Sequence, residues 1–157
     1  MALILLGVRE TLEWLDGDPN LTLPRALVGQ VDRVALAAPA LAEAAGHAET
    51  ARGASGVRMR RRVHEVVDQC RVRDSMYAAS SRPRRTVLPF DEKSLEAFCA
   101  LAAIPNIRAT LVERQVLSIA MVEAMPLMLI DTPEQRALMC QLDAIGFKVS
   151  VEWIEES

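Results

Sequence analysis

The 157-residue sequence predicts an α+β protein, mostly helical, in which a helical hairpin precedes a small αβ unit. Three observations lead there. Apolar residues recur at heptad spacing over two successive stretches of the first half. Cap residues followed by amphipathic runs mark helices in the second half. The C-terminal stretch then alternates apolar and polar residues, as a half-buried strand does.

Residues 1–23 read as an N-terminal segment that packs on the core. A short apolar start leads into a helix near Arg9–Leu15, and Gly17-Asp18-Pro19-Asn20 breaks it with a cluster of turn formers.

From Leu27 the apolar positions step through Val31, Val34, Ala38, Leu41, Ala45 and Ala48, a heptad seam. Pro24 suits a first helical turn, where its missing N–H has no intrahelical partner. Pro39 removes one backbone bond and predicts a kink or split near Ala38. Gly53-Ala54-Ser55-Gly56 reads as a flexible corner. A second seam follows through Met59, Val63, Val66, Cys70 and Tyr77. Residues 24–80 are therefore expected to form an antiparallel, coiled-coil-like hairpin with a basic second helix. Ser80–Arg85 is a polar linker that closes it.

Residues 88–157 form the αβ portion of what reads as one domain. Asp91 can cap a helix running to about Ala103, with Phe90 and Leu95 placed as a hydrophobic staple. Ile107, Ala109 and Leu111 alternate like a strand, whereas Thr110 and Glu113 have capping-box spacing, which favours a helix from about Leu111. Pro126–Ile130 suits a buried strand. Thr132, Pro133 and Gln135 then open a helix that Gly146 stops. Phe147, Val149, Val151 and Trp153 alternate with polar residues as a final strand, so strand, helix and strand form a βαβ-like unit.

The net charge of −3 hides a partition. Residues 1–51 carry −4, residues 52–85 carry +7 and residues 86–157 carry −6. The basic centre holds the candidate binding residues: Arg58, Arg60, Arg61, Arg62, Arg71 and Arg73. At ~100° per residue, Arg58, Arg61, Arg62 and Arg73 share one stripe, away from the apolar seam. Arg60 and Arg71 flank the seam on its other side. Guanidinium groups bind phosphate or carboxylate by paired hydrogen bonds. The stripe can therefore meet an acidic protein, a nucleic-acid backbone or the chain's own acidic segments. Base-stacking aromatics are absent from the region apart from Tyr77, which favours the protein contact.

Other chemistry is weakly represented. His64 and Asp68 share a helix face, but the second histidine of a zinc-protease motif is missing, so no metal is expected. Cys70, Cys99 and Cys140 lack C-x-x-C spacing and read as buried thiols in a reducing compartment. Phosphate loops and a nucleophile elbow are absent, and the paired carboxylates lie at turns and caps. No cofactor is implied.

No run reaches the ~20 apolar residues of a membrane span, and the N-terminus is a poor signal peptide. A cytoplasmic protein without membrane contact is expected. The leading functional expectation is a non-enzymatic interaction or regulatory protein that docks an acidic partner through its Arg-rich helix and self-associates, as a homodimer for example. The alternatives are a nucleic-acid-binding regulator using the same arginines, and an enzyme of unrecognised type.

Overall fold

A strand of three residues, Ile4–Leu6 (β1), lies at the centre of the computed structural model of this chain, which describes residues 3–29, 33–77 and 87–156. All three residues are buried. The period of two sends Leu5 into one hydrophobic cluster and Ile4 with Leu6 into another. A strand buried on both faces belongs inside a parallel sheet.

Four further strands complete that sheet: Val34–Ala37 (β2), Val87–Leu88 (β3), Leu127–Asp131 (β4) and Val151–Glu155 (β5). Their order is β3-β2-β1-β4-β5, and every neighbouring pair is parallel. Ile4 lies beside Val34, Leu5 beside Leu127, and Leu129 beside Trp153.

Helices make the crossovers. Val8–Asp16 (α1) and Thr22–Ala26 (α2) connect β1 to β2. Ala38–Thr50 (α3) and Gly53–Tyr77 (α4) follow β2. Glu92–Ala102 (α5) and Leu111–Val122 (α6) follow β3, and Pro133–Ala144 (α7) joins β4 to β5. One cluster packs Leu5, Leu127 and Leu129 against Leu101 of α5, Leu117 and Ile119 of α6, and Leu138 and Leu142 of α7. The other packs Ile4, Leu6, Val34, Leu36 and Met128 against Leu23 of α2 and Val66 of α4. Helix and strand are both present as expected, but they interleave, with helices on both sheet faces.

The heptad seam from Leu27 is therefore not one hairpin arm. Val34–Ala37 is a strand buried at all four positions, and the helix begins only at Ala38. Pro39 sits in the first turn of α3, where it is tolerated, so the expected split near Ala38 is a strand–helix junction. Gly53–Gly56 is not a flexible corner but the first turn of α4. Helices α3 and α4 do pack together, and with α1 they enclose Leu15, Ala44, Ala48 and Met59. The linker Ser80–Arg85 lies outside the described residues.

The second half follows its local signals closely. Asp91, Thr110 and Thr132 each accept a hydrogen bond from the backbone N–H three residues on. Thr132 is largely buried at the head of α7, so Thr132→Ala leaves an inward-facing donor without its partner. That variant is expected to lose about 1 kcal/mol in urea unfolding.

Three local expectations need correction. Phe90 packs edge-to-face on Phe98, with centroids 5.9 Å apart, whereas Leu95 is exposed; an aromatic pair has replaced the staple. Strand β5 starts at Val151, later than the alternation from Phe147 implies, because pairing with β4 begins there. Cys99 and Cys140 are exposed rather than buried, because α5 and α7 turn Ala97, Leu101, Leu138 and Leu142 inward instead. Among the described residues no helix is long and apolar enough to cross a membrane.

Candidate functional site

The candidate arginines lie on α4, and the structure gives them different tasks. Arg58 donates from Nε to the Asp16 carbonyl oxygen at 3.1 Å and from Nη2 to Asp16 Oδ1 at 2.8 Å. Ser55 Oγ donates to the other Asp16 oxygen at 2.5 Å. Burial works against the Asp16 charge, yet the Ser55 and Arg58 hydrogen bonds hold its pKa below the ordinary value. Arg60 Nη1 donates to the carbonyls of Ala48 and Ala51 at 2.8 and 3.0 Å, closing the C-terminal end of α3. The Arg62 guanidinium lies 4.1 Å from the centre of the Trp14 ring.

These three side chains clip α4 to α1 and α3. Arg61 is different. It is exposed and has no hydrogen-bond or ion-pair partner among the described residues. His64, Glu65, Val67 and Asp68 are exposed beyond it. The side chains of Arg71 and Arg73 lie outside the described residues, so of the six candidates the structure places Arg58, Arg60, Arg61 and Arg62. Among the described residues no group of His, Cys, Asp or Glu is arranged to hold a metal ion.

A second feature was not anticipated. The chain winds outward from β1 through β2 to β3, then returns to the other side of β1 to lay down β4 and β5. The order therefore reverses between β1 and β4, and their carboxyl ends leave a crevice there. A cleft of about 420 Å³ occupies it. Gly7 and Val8 after β1 and Thr132 and Gln135 after β4 line it, with an apolar wall that includes Leu117, Leu129 and Leu138. Arg9, Arg108, Glu113 and Glu134 stand around it.

Behind that lining sits Glu10, in the first turn of α1 and fully buried. Neither carboxylate oxygen has a hydrogen-bond partner among the described residues. Loss of hydration pushes its pKa from 4.5 up to about 7. Its own backbone amide, the nearby Gln135 amide and the Arg9 charge pull the other way, and less strongly. A β-carbon added at Gly7 would fall 2.6 Å from Glu10 Oε1 and 2.6 Å from Leu129 Cδ2. The carboxyl thus takes the space that a side chain at position 7 would need.

Beside the cleft, Asp131 at the end of β4 accepts both arms of Arg136, at 2.8 and 2.9 Å. That contact keeps its pKa low. Arg136 also lies 4.0 Å from the centre of the Trp153 ring, which is only half buried. Sequence reasoning missed Glu10 and the cleft. Their one local trace is an apolar run, Leu3–Leu6, ending in glycine three residues before an acid.

No protein-family model and no curated protein matches the sequence. Solved structures do. One is FitAB bound to an IR36 DNA fragment, with a TM-score of 0.62 and 17% identity over 96% of this chain and 94% of that one. A second is VapBC2 from Rickettsia felis bound to a DNA fragment from its promoter, with a TM-score of 0.61 and 12% identity over 97% and 98%. A third is VapBC-5 from Mycobacterium tuberculosis, of the VapBC family of toxin–antitoxin systems, with a TM-score of 0.55 and 18% identity over 99% of both chains. At these identities the likeness is one of chain path, and by it this chain has the fold found in the FitAB and VapBC structures.

Proposed function

We propose that this chain is a non-enzymatic regulatory protein that docks an acidic protein partner through the Arg-rich face of α4 and self-associates. Arg61 carries this reading. It stands unengaged on a helix that Arg58, Arg60 and Arg62 hold against the body, so an exposed cation is presented on a fixed support. A pre-positioned guanidinium loses little freedom when it meets a carboxylate. Arg71 and Arg73 extend the basic sequence along the same helix. Membership of one similar structure in a toxin–antitoxin system supports a regulatory role with a partner chain. The reading also places the protein in the cytoplasm, where exposed thiols such as Cys99 and Cys140 stay reduced.

Nucleic acid is the second reading. Two of the similar structures contain DNA fragments, and the same arginines would face phosphate instead of carboxylate.

A photo-crosslinking amino acid in place of Val57, exposed one turn before Arg61 on α4, leaves every arginine intact and separates the two in cells that express the chain. A protein adduct that fades as salt rises is the expected result. A nucleic-acid adduct selects the second reading, and no adduct at any salt concentration overturns both. Light scattering is expected to show a mass above that of one chain; a strict monomer at every concentration removes self-association.

A further inference from the structure

We propose that the cleft between the carboxyl ends of β1 and β4 is a binding site for a small organic cation, a primary ammonium on an apolar body, with the Glu10 carboxylate as its anchor. This goes beyond the docking role of α4 and shares no residue with it.

The inference starts from an unmet need. A buried carboxylate is ordinarily paired or hydrogen-bonded. Glu10 is fully buried with neither oxygen partnered among the described residues. The groups around it are not scattered through the core. Gly7, whose missing side chain makes room for Oε1, lines the cleft, and so do Leu129 and the Gln135 whose amide neighbours the carboxyl. The orphaned group therefore lies directly behind the cleft floor. The cover over it includes the end of the Leu129 side chain, which can swing through a rotamer change.

The protein's own cation does not fill the need. Arg9, next in sequence, turns outward, with Nε donating to Glu13 Oε2 at 3.1 Å and Nη2 to Glu156 Oε1 at 3.0 Å. Gln135 directs one Nε2 hydrogen to the Ile130 carbonyl at 2.8 Å, and its amide, though close to Glu10, makes no hydrogen bond to either carboxylate oxygen. When Glu10 is charged, a ligand that brings its own donor would supply the pairing that these groups do not.

The rest of the cleft sets the ligand's shape. Its walls are aliphatic, from Val8, Val116, Leu117, Leu127, Leu138 and Met139. Its volume of about 420 Å³ lies in the range of small-molecule sites. An apolar body of ring size would bury against these walls while an ammonium reached Glu10. A metal ion fits poorly, since Glu113 and Glu134 line the cleft but, among the described residues, no group of carboxylates, His or Cys is arranged to hold one. Arg9 and Arg108 could meet an anion elsewhere along the lining, but next to Glu10 it would be repelled.

Benzylammonium is a suitable probe, with benzyl alcohol as its uncharged counterpart of similar shape. Titration calorimetry at pH 8 is expected to show benzylammonium binding at least tenfold more tightly than benzyl alcohol. Glu10→Gln keeps the shape of the side chain and should abolish the difference. Amide shifts on adding the probe should centre on Gly7, Leu129 and Gln135. Equal binding of the two compounds, undiminished binding of benzylammonium to the Gln variant, shifts elsewhere on the surface, or no binding at all would each overturn the proposal. Because α4 takes no part, crosslinking from position 57 stands or falls separately.

Discussion

Glu10→Gln is expected to gain stability relative to the parent protein as pH rises from 5 to 8. The folded-state pKa of Glu10 lies near 7, above the 4.5 of an exposed carboxyl. Between those values the folded chain holds a proton that the unfolded chain releases, so raising the pH favours unfolding. The contribution of Glu10 is fully present below about 4.5 and is lost as pH climbs through 7. A shift of this size corresponds to roughly 3 kcal/mol, or about 6–12 °C in melting temperature for a domain of this length. Glutamine removes the titration but keeps an amide in a site with few partners, a cost of about 1–3 kcal/mol that is independent of pH. The decisive readout is therefore the slope of the stability difference against pH, from urea unfolding at several pH values. A flat difference would mean that Glu10 is hydrated or paired in solution.

The second large effect is at Gly56, in the first turn of α4. Helix propensity alone says that alanine should stabilise this position by about 1 kcal/mol. The packing says the reverse. A β-carbon here would collide with the Ala51 carbonyl oxygen and come within 2.8 Å of its carbon, while Arg60 Nη1 lies 3.0 Å away. The first two are backbone atoms at the C-cap of α3, and the same carbonyl accepts from Arg60. Gly56→Ala must therefore move a helix end and disturb the Arg60 clamp, and is expected to cost about 3 kcal/mol. Gly46→Ala is the control. It lies in α3 with nothing near its missing β-carbon, and should stabilise by up to about 1 kcal/mol. A stabilising Gly56→Ala would show that α3 and α4 do not approach this closely in solution.

Much of the second half was legible because its signals are local. Asp91, Thr110 and Thr132 cap their helices through bonds that span three residues, and Gly146 adopts the left-handed conformation that stops α7. The arginine-rich stretch was legible as charge. What each guanidinium does was not, because Arg58 meets Asp16 across 42 positions of sequence and Arg62 meets Trp14 across a comparable gap.

The sequence by itself determined the positions of the later helices, the buried apolar run of β4 and the basic character of α4. Each depends on residues within a turn or two of one another, and propensity, capping and period act at that range. Only the tertiary structure decided that Ile4–Leu6 is the central strand and that Val34–Ala37 interrupts a heptad pattern. Strands of three or four residues are too short to show a period of their own, and parallel pairing joins segments distant in sequence. The same holds for Glu10. On α1 it reads as an ordinary acid in a first turn, where the helix dipole favours it. The groups that meet it at the cleft, Leu129 of β4 and Gln135 of α7, come more than a hundred residues later, where the sheet reverses its winding.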